Sequence, residues 1–395
     1  MSKSPKGRIA VPLLGFLLLG ICTFLVAESS LRVLQFALGE VSPTTLLPSA
    51  RDSRFLMSPF LVFGPRVDFQ IPDKAFPELA RFNSDAVRLP GPTPPRSDGE
   101  IRIVALGGST TENVWNDAGI HWPLVSECAL RSYGHKVRIL NSAMSAYSTA
   151  HSLIRLQFDI IDTIDPDIIL IMHAVNDLDV VYTAVTVGGS VDPHYLVKYG
   201  QKGYTLDLDE TDVVVSRLWR SVTSRLVSRT DQRMPRRPTP YELDEGLRIF
   251  DRNLGAIVAA AKHRHRQPIL LTMPFSTDEG LFPDVDGPAR HEGVGLHLIP
   301  GPDDFKAHMD LYNQTIRDRA MADGVPFIDM ANEIQGTSGA FVDPVHYSTA
   351  GVLRFGMTLA THLKDHLPPP VGMVPTLESC TTLWTLEEPV EFGLP

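Results

Sequence analysis

Cysteine is scarce in this chain: three residues in 395, Cys22, Cys128 and Cys380, none in a CxxC or zinc-type spacing. That scarcity excludes a thiolate-held structural metal cluster. An excess of basic charge is also missing. The 36 Lys and Arg stand against 46 Asp and Glu, a formal net charge of −10, which repels a phosphate backbone and argues against nucleic acid as a partner. No P-loop and no Rossmann glycine fingerprint occurs. His291-Glu292 begins like the zinc-protease pattern H-E-x-x-H, but Gly295 occupies the position of the second ligand. His263 and His265 stand among Arg and Lys at a helix end, where cations suit the dipole. Proline and glycine, by contrast, are plentiful, at 32 and 29 residues, and imply long irregular connections.

An uncharged run, IAVPLLGFLLLGICTFLVA, extends from Ile9 to Ala27. Its length suits the ~20 residues that cross a ~30 Å hydrocarbon core. Lys3, Lys6 and Arg8 precede it, and Glu28 and Arg32 nearly cancel after it. The positive-inside rule then leaves residues 1–8 in the cytoplasm and the rest of the chain outside, periplasmic or extracellular. The run exceeds the core of an ordinary signal peptide, which favours a single-pass anchor over a cleaved leader. Cys22 reads as a small hydrophobe within it, and the large Ile21 before it argues against a lipoprotein site. Cys128 and Cys380 read as two unrelated thiols; a disulfide between them requires a domain outside the cytosol.

Residues 28–99 lack sustained periodicity and end in the breaker-rich LPGPTPPRSDGE, which marks a juxtamembrane region and linker, free to lie along the catalytic domain. From residue 100 the pattern changes. Short apolar strands are expected at IRIVAL (101–106), KVRIL (136–140), DIILIM (167–172), PILLTM (268–273) and VPFIDM (325–330). Helix-length segments lie at 122–133, 149–164, 241–264, 304–322 and 348–365. This alternation predicts an α/β domain over 100–367, built on a five-stranded parallel sheet covered on both faces. Active sites of such sheets lie at the carboxyl ends of the strands. Residues 178–240 form a long connection that carries an amphipathic helix, VSRLWRSVTSRLVSR, and 276–303 form a second one. Both leave strand ends and are placed to roof a site. Residues 368–395 read as a peripheral tail.

Four segments stand at the strand ends. GGSTTE places Ser109 after a glycine pair, at the mouth of a helix; a capping serine is the plain alternative. NSAMSAYST (141–149) offers small residues and backbone amides, and HAVND ends in Asn176 and Asp177. A side-chain amide at that place can serve a turn or donate to a developing oxyanion. FVDPVHYSTAG sets Asp343 three residues before His346, the spacing a proton-relay pair needs. His121 and His173 fall near the expected pocket as lining residues. Asn313-Gln314-Thr315 fits a glycosylation sequon within a helix.

Together these four segments resemble the SGNH/GDSL hydrolase family, whose blocks carry Ser, Gly, Asn and His. GGSTTE with Trp122-Pro123 is similar to the branch whose first block reads GGSTT, and RFNSDAVR (81–88) resembles the N-x-x-G-F-R segment placed ahead of the first strand there. The resemblance covers about residues 80–365 and implies a flavodoxin-like, three-layer α/β/α fold. It implies a Ser109–His346–Asp343 triad, with the backbone N–H groups of Ser109 and Ala146 and the side chain of Asn176 as the oxyanion hole. It further implies ester hydrolysis through an acyl-enzyme, on a small-molecule, lipid or glycan ester, with no metal or organic cofactor. Two departures stand out. Ala146 replaces a glycine, which matters if φ is positive there, and Ala174-Val175 replaces a glycine pair. An O-acyltransferase would share the triad up to deacylation. A membrane-tethered binding protein on the same fold is the non-catalytic alternative.

Overall fold

The computed structural model describes residues 55–58, 61–67, 92–114, 116–187, 237–282 and 301–383, together with Thr23, Lys74, Phe82, Asn83, Val87, Arg88 and Val191. The run 9–27, apart from Thr23, and the amphipathic segment at 215–229 lie outside these residues. Among the described residues no helix is long and apolar enough to cross a membrane.

The chain opens on an antiparallel hairpin, β1 (Phe55–Ser58) and β2 (Val62–Pro65). Then come β3 (Ile101–Gly107), a single turn α1 (Ser109–Glu112), α2 (Trp122–Ser132) and β4 (Val137–Asn141). Helix α3 (Thr149–Arg155) widens into a π turn at Leu156–Ile160 and closes at Ile161–Thr163. After it follow β5 (Ile168–Met172), α4 (Val175–Val187), α5 (Pro240–His263) and β6 (Gln267–Leu271). The described chain ends with α6 (Pro302–Asp323), β7 (Phe327–Ile328), α7 (Met330–Ile334), α8 (Thr349–Leu363) and α9 (Glu378–Leu383).

The five strands β3–β7 are all parallel and lie in the order β4-β3-β5-β6-β7. In chain order this is 2-1-3-4-5, the flavodoxin-like arrangement, whose switch point falls between β3 and β5. Every residue of β5 is buried, as is all of β3 after Ile101. A strand covered on both faces has no polar side to offer, which is why IRIVALG and IILIM read as unbroken apolar runs. Helices α2 and α8 pack on each other, and α3, α5 and α6 form a second contacting group. Right-handed crossovers running in opposite directions along the sheet put such groups on opposite faces.

Local chemistry fixes the helix ends. Thr239 and Glu242 form a reciprocal capping box ahead of Pro240 in α5. Gly324, at φ 60°, ends α6 in the left-handed conformation.

Three expectations need correction. The last strand spans two residues rather than six. Asp329 turns away from the strand to take hydrogen bonds from Thr272 Oγ1 (2.7 Å) and Arg317 (2.9 and 3.0 Å). The connection expected from 178 onward begins as the helix α4. Its residues from 177 to 185 are buried, so it shows no polar face and no helical periodicity in the sequence. The stretch 28–99, expected as a juxtamembrane region and linker, groups with the sheet's compact unit from Arg54 onward. Phe63 of β2 is buried and packs on Tyr147 with ring centroids 5.3 Å apart. Finally, Cys128 and Cys380 form a disulfide that fastens α9 to α2. Their separation of 252 residues hid the pairing from local pattern. Arg131 adds a hydrogen bond of 2.7 Å to the Pro375 carbonyl, so the start of the tail is docked.

Candidate active site

Ser109 follows β3 directly, at the carboxyl edge of the sheet beside the switch point. Glycine is required at both positions before it. A Cβ on Gly107 would stand 2.2 Å from Thr111 Oγ1, and one on Gly108 would stand 2.2 Å from Asn176 Nδ2 and 3.2 Å from the Tyr147 carbonyl. The first three blocks thus meet at Gly108, with the Asn176 amide pressed against the residue before the serine. Asn176 Nδ2 also donates to the Tyr147 carbonyl at 2.9 Å, which fixes the plane of the amide.

The fourth block is a tight loop. Asp343 Oδ1 accepts the backbone N–H groups of Val345 and His346, both at 2.8 Å. This turn explains the spacing of three, because it aims the remaining carboxylate oxygen back at the ring of His346. Val342 N donates to the His346 carbonyl, and Ser348 caps α8 through Gly351 N at 3.1 Å. Gly351 is obligatory, since a Cβ there would fall 1.9 Å from the Ala340 carbonyl.

Within this frame His346 Nδ1 stands 2.5 Å from Asp343 Oδ2, and His346 Nε2 stands 2.7 Å from Ser109 Oγ. Ser109 and His346 are buried. Burial works to raise the Asp343 pKa, but hydrogen bonds from the His346 ring and two backbone amides, with the attraction of that ring, hold it below the usual carboxylate range. An ionised carboxylate only accepts, so it selects the tautomer with hydrogen on Nδ1 and turns the Nε2 lone pair to the serine hydroxyl. The arrangement can move a proton off Ser109 while its charge is balanced from behind.

Ala146 has φ 65°, the left-handed conformation that favours glycine. Tyr147 N donates to the Met144 carbonyl at 3.0 Å, so residues 144–147 form a turn with Ala146 in its third position.

Asp177 is structural: its carboxylate accepts Thr149 Oγ1 at 2.5 Å and Thr149 N at 3.1 Å. His121 is a buried helix cap that accepts Leu124 N at 3.1 Å, and burial together with Arg88 lowers its pKa. His173 lies 2.7 Å from Ser152 Oγ, and burial pushes its pKa down to about 3. Asn313 is buried and bonds both polar atoms of the Met273 backbone, at 2.7 and 3.0 Å, so the sequon is occupied by packing. His291 lies outside the described residues. Two contributors were overlooked in the sequence. Arg88, from RFNSDAVR, is buried and donates to the carbonyls of Glu112 and Gly119. Glu112, the last letter of GGSTTE, is buried and accepts from Ser145. For Glu112, a charged residue inside an otherwise small-residue block was the available signal.

Similar solved structures include a lipase/acylhydrolase from Enterococcus faecalis, 17% identical over 68% of this chain and 98% of that one, with a TM-score of 0.41. A GDSL-like lipase from Bacteroides thetaiotaomicron is 14% identical over 70% and 93%, with a TM-score of 0.38. An acetylxylan esterase from Geobacillus stearothermophilus, as a catalytic mutant, is 14% identical over 66% and 92%, with a TM-score of 0.37. No curated protein matches the chain. The model of the GDSL-like Lipase/Acylhydrolase family matches residues 105–353, well over half of the sequence. The chain therefore belongs to the GDSL-like lipase/acylhydrolase family and is an ester-hydrolysing serine hydrolase.

Proposed function

We propose that this chain is a membrane-anchored, extracytoplasmic esterase whose nucleophile is Ser109, with His346 as general base and Asp343 as its orienting acid. The observation that carries the reading is the unbroken relay from Asp343 Oδ2 to His346 to Ser109 Oγ, at 2.5 and 2.7 Å. His346 Nε2 takes the hydroxyl proton as Oγ attacks the ester carbonyl. The oxyanion is met by the N–H groups of Ser109 and Ala146 and by the Asn176 amide. The imidazolium then protonates the departing alkoxide and leaves an acyl-Ser109. Water, deprotonated by the same imidazole, releases the acid and restores the serine. All of these steps use side chains and backbone of this chain.

Two observations support a location outside the cytoplasm: the uncharged run 9–27 behind three basic residues, and the Cys128–Cys380 disulfide, which an oxidising compartment sustains. A panel of acetyl, butyryl and long-chain nitrophenyl esters tests the chemistry. Ser109→Ala and His346→Ala should fall to background, and Asn176→Ala should lose about 10²–10³ in kcat. Turnover by Ser109→Ala at the parental rate would end the proposal. Retention in carbonate-washed membranes, with the enzyme domain digested by protease added outside, tests the topology.

A further inference from the structure

We propose that Glu112 is a positioning residue that keeps the Ala146 N–H aimed at the reacting carbonyl oxygen. This inference rests on the assignment of Ala146 to the oxyanion hole. Glu112 closes the short helix that Ser109 opens, and it is buried at 1% exposure. Its Oε2 accepts the Ser145 backbone N–H at 2.6 Å and also the Ser145 hydroxyl. Ser145 is the second residue of the 144–147 turn, and Ala146, at φ 65°, is the third.

Positive φ in the third position is the mark of a type II turn, which normally takes glycine. Alanine there is strained by about 1–2 kcal/mol. The ready relaxation is a flip of the 145–146 peptide, which returns φ to negative values and swings the Ala146 N–H away from its former direction. The turn must be held from outside to resist this flip. On its far side Tyr147 is fixed by the Asn176 bond to its carbonyl (2.9 Å) and by its own hydroxyl bonded to the Phe63 carbonyl (2.9 Å). On the near side Met144 N donates to the Gly107 carbonyl at 3.2 Å, and Glu112 grips Ser145, beside the peptide that would flip, by main chain and side chain at once. Because Glu112 and Ser109 share one helical turn, the same element sets the nucleophile and the oxyanion donor.

The test is rescue. Glu112→Gln should lower kcat about 10–100-fold, the scale of a donor displaced by ~1 Å, with KM little changed. Ser145→Ala, which removes only the hydroxyl contact, should lose less. Ala146→Gly added to Glu112→Gln should recover most of the lost kcat, because glycine holds positive φ without help. A purely structural Glu112 would show a lowered Tm and no recovery of kcat from that second change. The proposal is overturned if Glu112→Gln keeps the parental kcat, or if its loss is not recovered by Ala146→Gly. Asn176→Ala, assayed alongside, separates the two levels. If Asn176→Ala is also fully active, the oxyanion assignment itself fails; if it is impaired, only the role of Glu112 falls.

Discussion

Replacing Gly108 by alanine isolates the contact on which the oxyanion assignment depends. Its φ of −97° and ψ of −151° suit any residue, so the substitution adds no backbone strain and acts through the new Cβ alone. That atom would stand 2.2 Å from Asn176 Nδ2, whereas ordinary contact begins near 3.4 Å. The amide must therefore retreat by about 1.2 Å (3.4 − 2.2), breaking its 2.9 Å bond to the Tyr147 carbonyl and leaving the oxyanion position. Loss of one such donor costs about 10²–10³ in kcat, or about 2.7–4 kcal/mol of transition-state stabilisation. Gly108→Ala should thus lose activity on that scale against a nitrophenyl ester, with the far-UV circular dichroism of the parent. The double variant Gly108→Ala with Asn176→Ala should be scarcely worse than either alone, because both remove the same donor. A folded Gly108→Ala enzyme with parental kcat refutes the reasoning.

Three further outcomes concern stability. Ala146→Gly relieves about 1–2 kcal/mol of left-handed strain but adds about 0.4–1 kcal/mol of unfolded-chain entropy, so thermal denaturation should show a Tm unchanged or raised by a few degrees; a clear fall contradicts the φ of 65°. Cys128→Ser should cost about 2–5 kcal/mol in denaturant unfolding, and thiol alkylation of the unfolded parent should label Cys128 and Cys380 only after reduction. Glu127 is buried, and desolvation, against the attraction of Arg138, raises its pKa from an ordinary 4.5 to about 7. Below about 4.5 both states hold the proton and stability is unaffected; between there and about 7 the unfolded chain releases a proton that the fold retains, so this group makes stability fall as pH rises. Glu127→Gln should remove that decline from unfolding curves measured between pH 5 and 8, and an unaltered pH profile contradicts it.

The residues that the sequence displayed are those whose role is local. Helix limits at Trp122, Thr149, Pro240, Pro302 and Thr349 lie within two residues of their expected places, because caps, N1 prolines and amphipathic periods are short-range signals. Four of the five parallel strands were equally plain, and the fifth shrank because Asp329 is drawn to Thr272 and Arg317. Ser109, Asn176, Asp343 and His346 were legible through their blocks, but the contacts among them were not. What joins Ser109 to His346 spans 237 residues of chain, and the docking of Phe63 on Tyr147 spans 84. Helix α4 was hidden by burial on every side, and Glu112 by standing in a motif where the serine draws attention. The positive φ at Ala146 could be posed as a question from sequence and answered only by the turn itself.

The central claim is that one serine is activated by one histidine. Intact-protein and peptide mass spectrometry after treatment with a fluorophosphonate tests it most directly. A single adduct on the peptide containing Ser109, lost in Ser109→Ala and strongly slowed in His346→Ala, is the expected result. An adduct on a different residue, or labelling of Ser109 at the parental rate without His346, would contradict it.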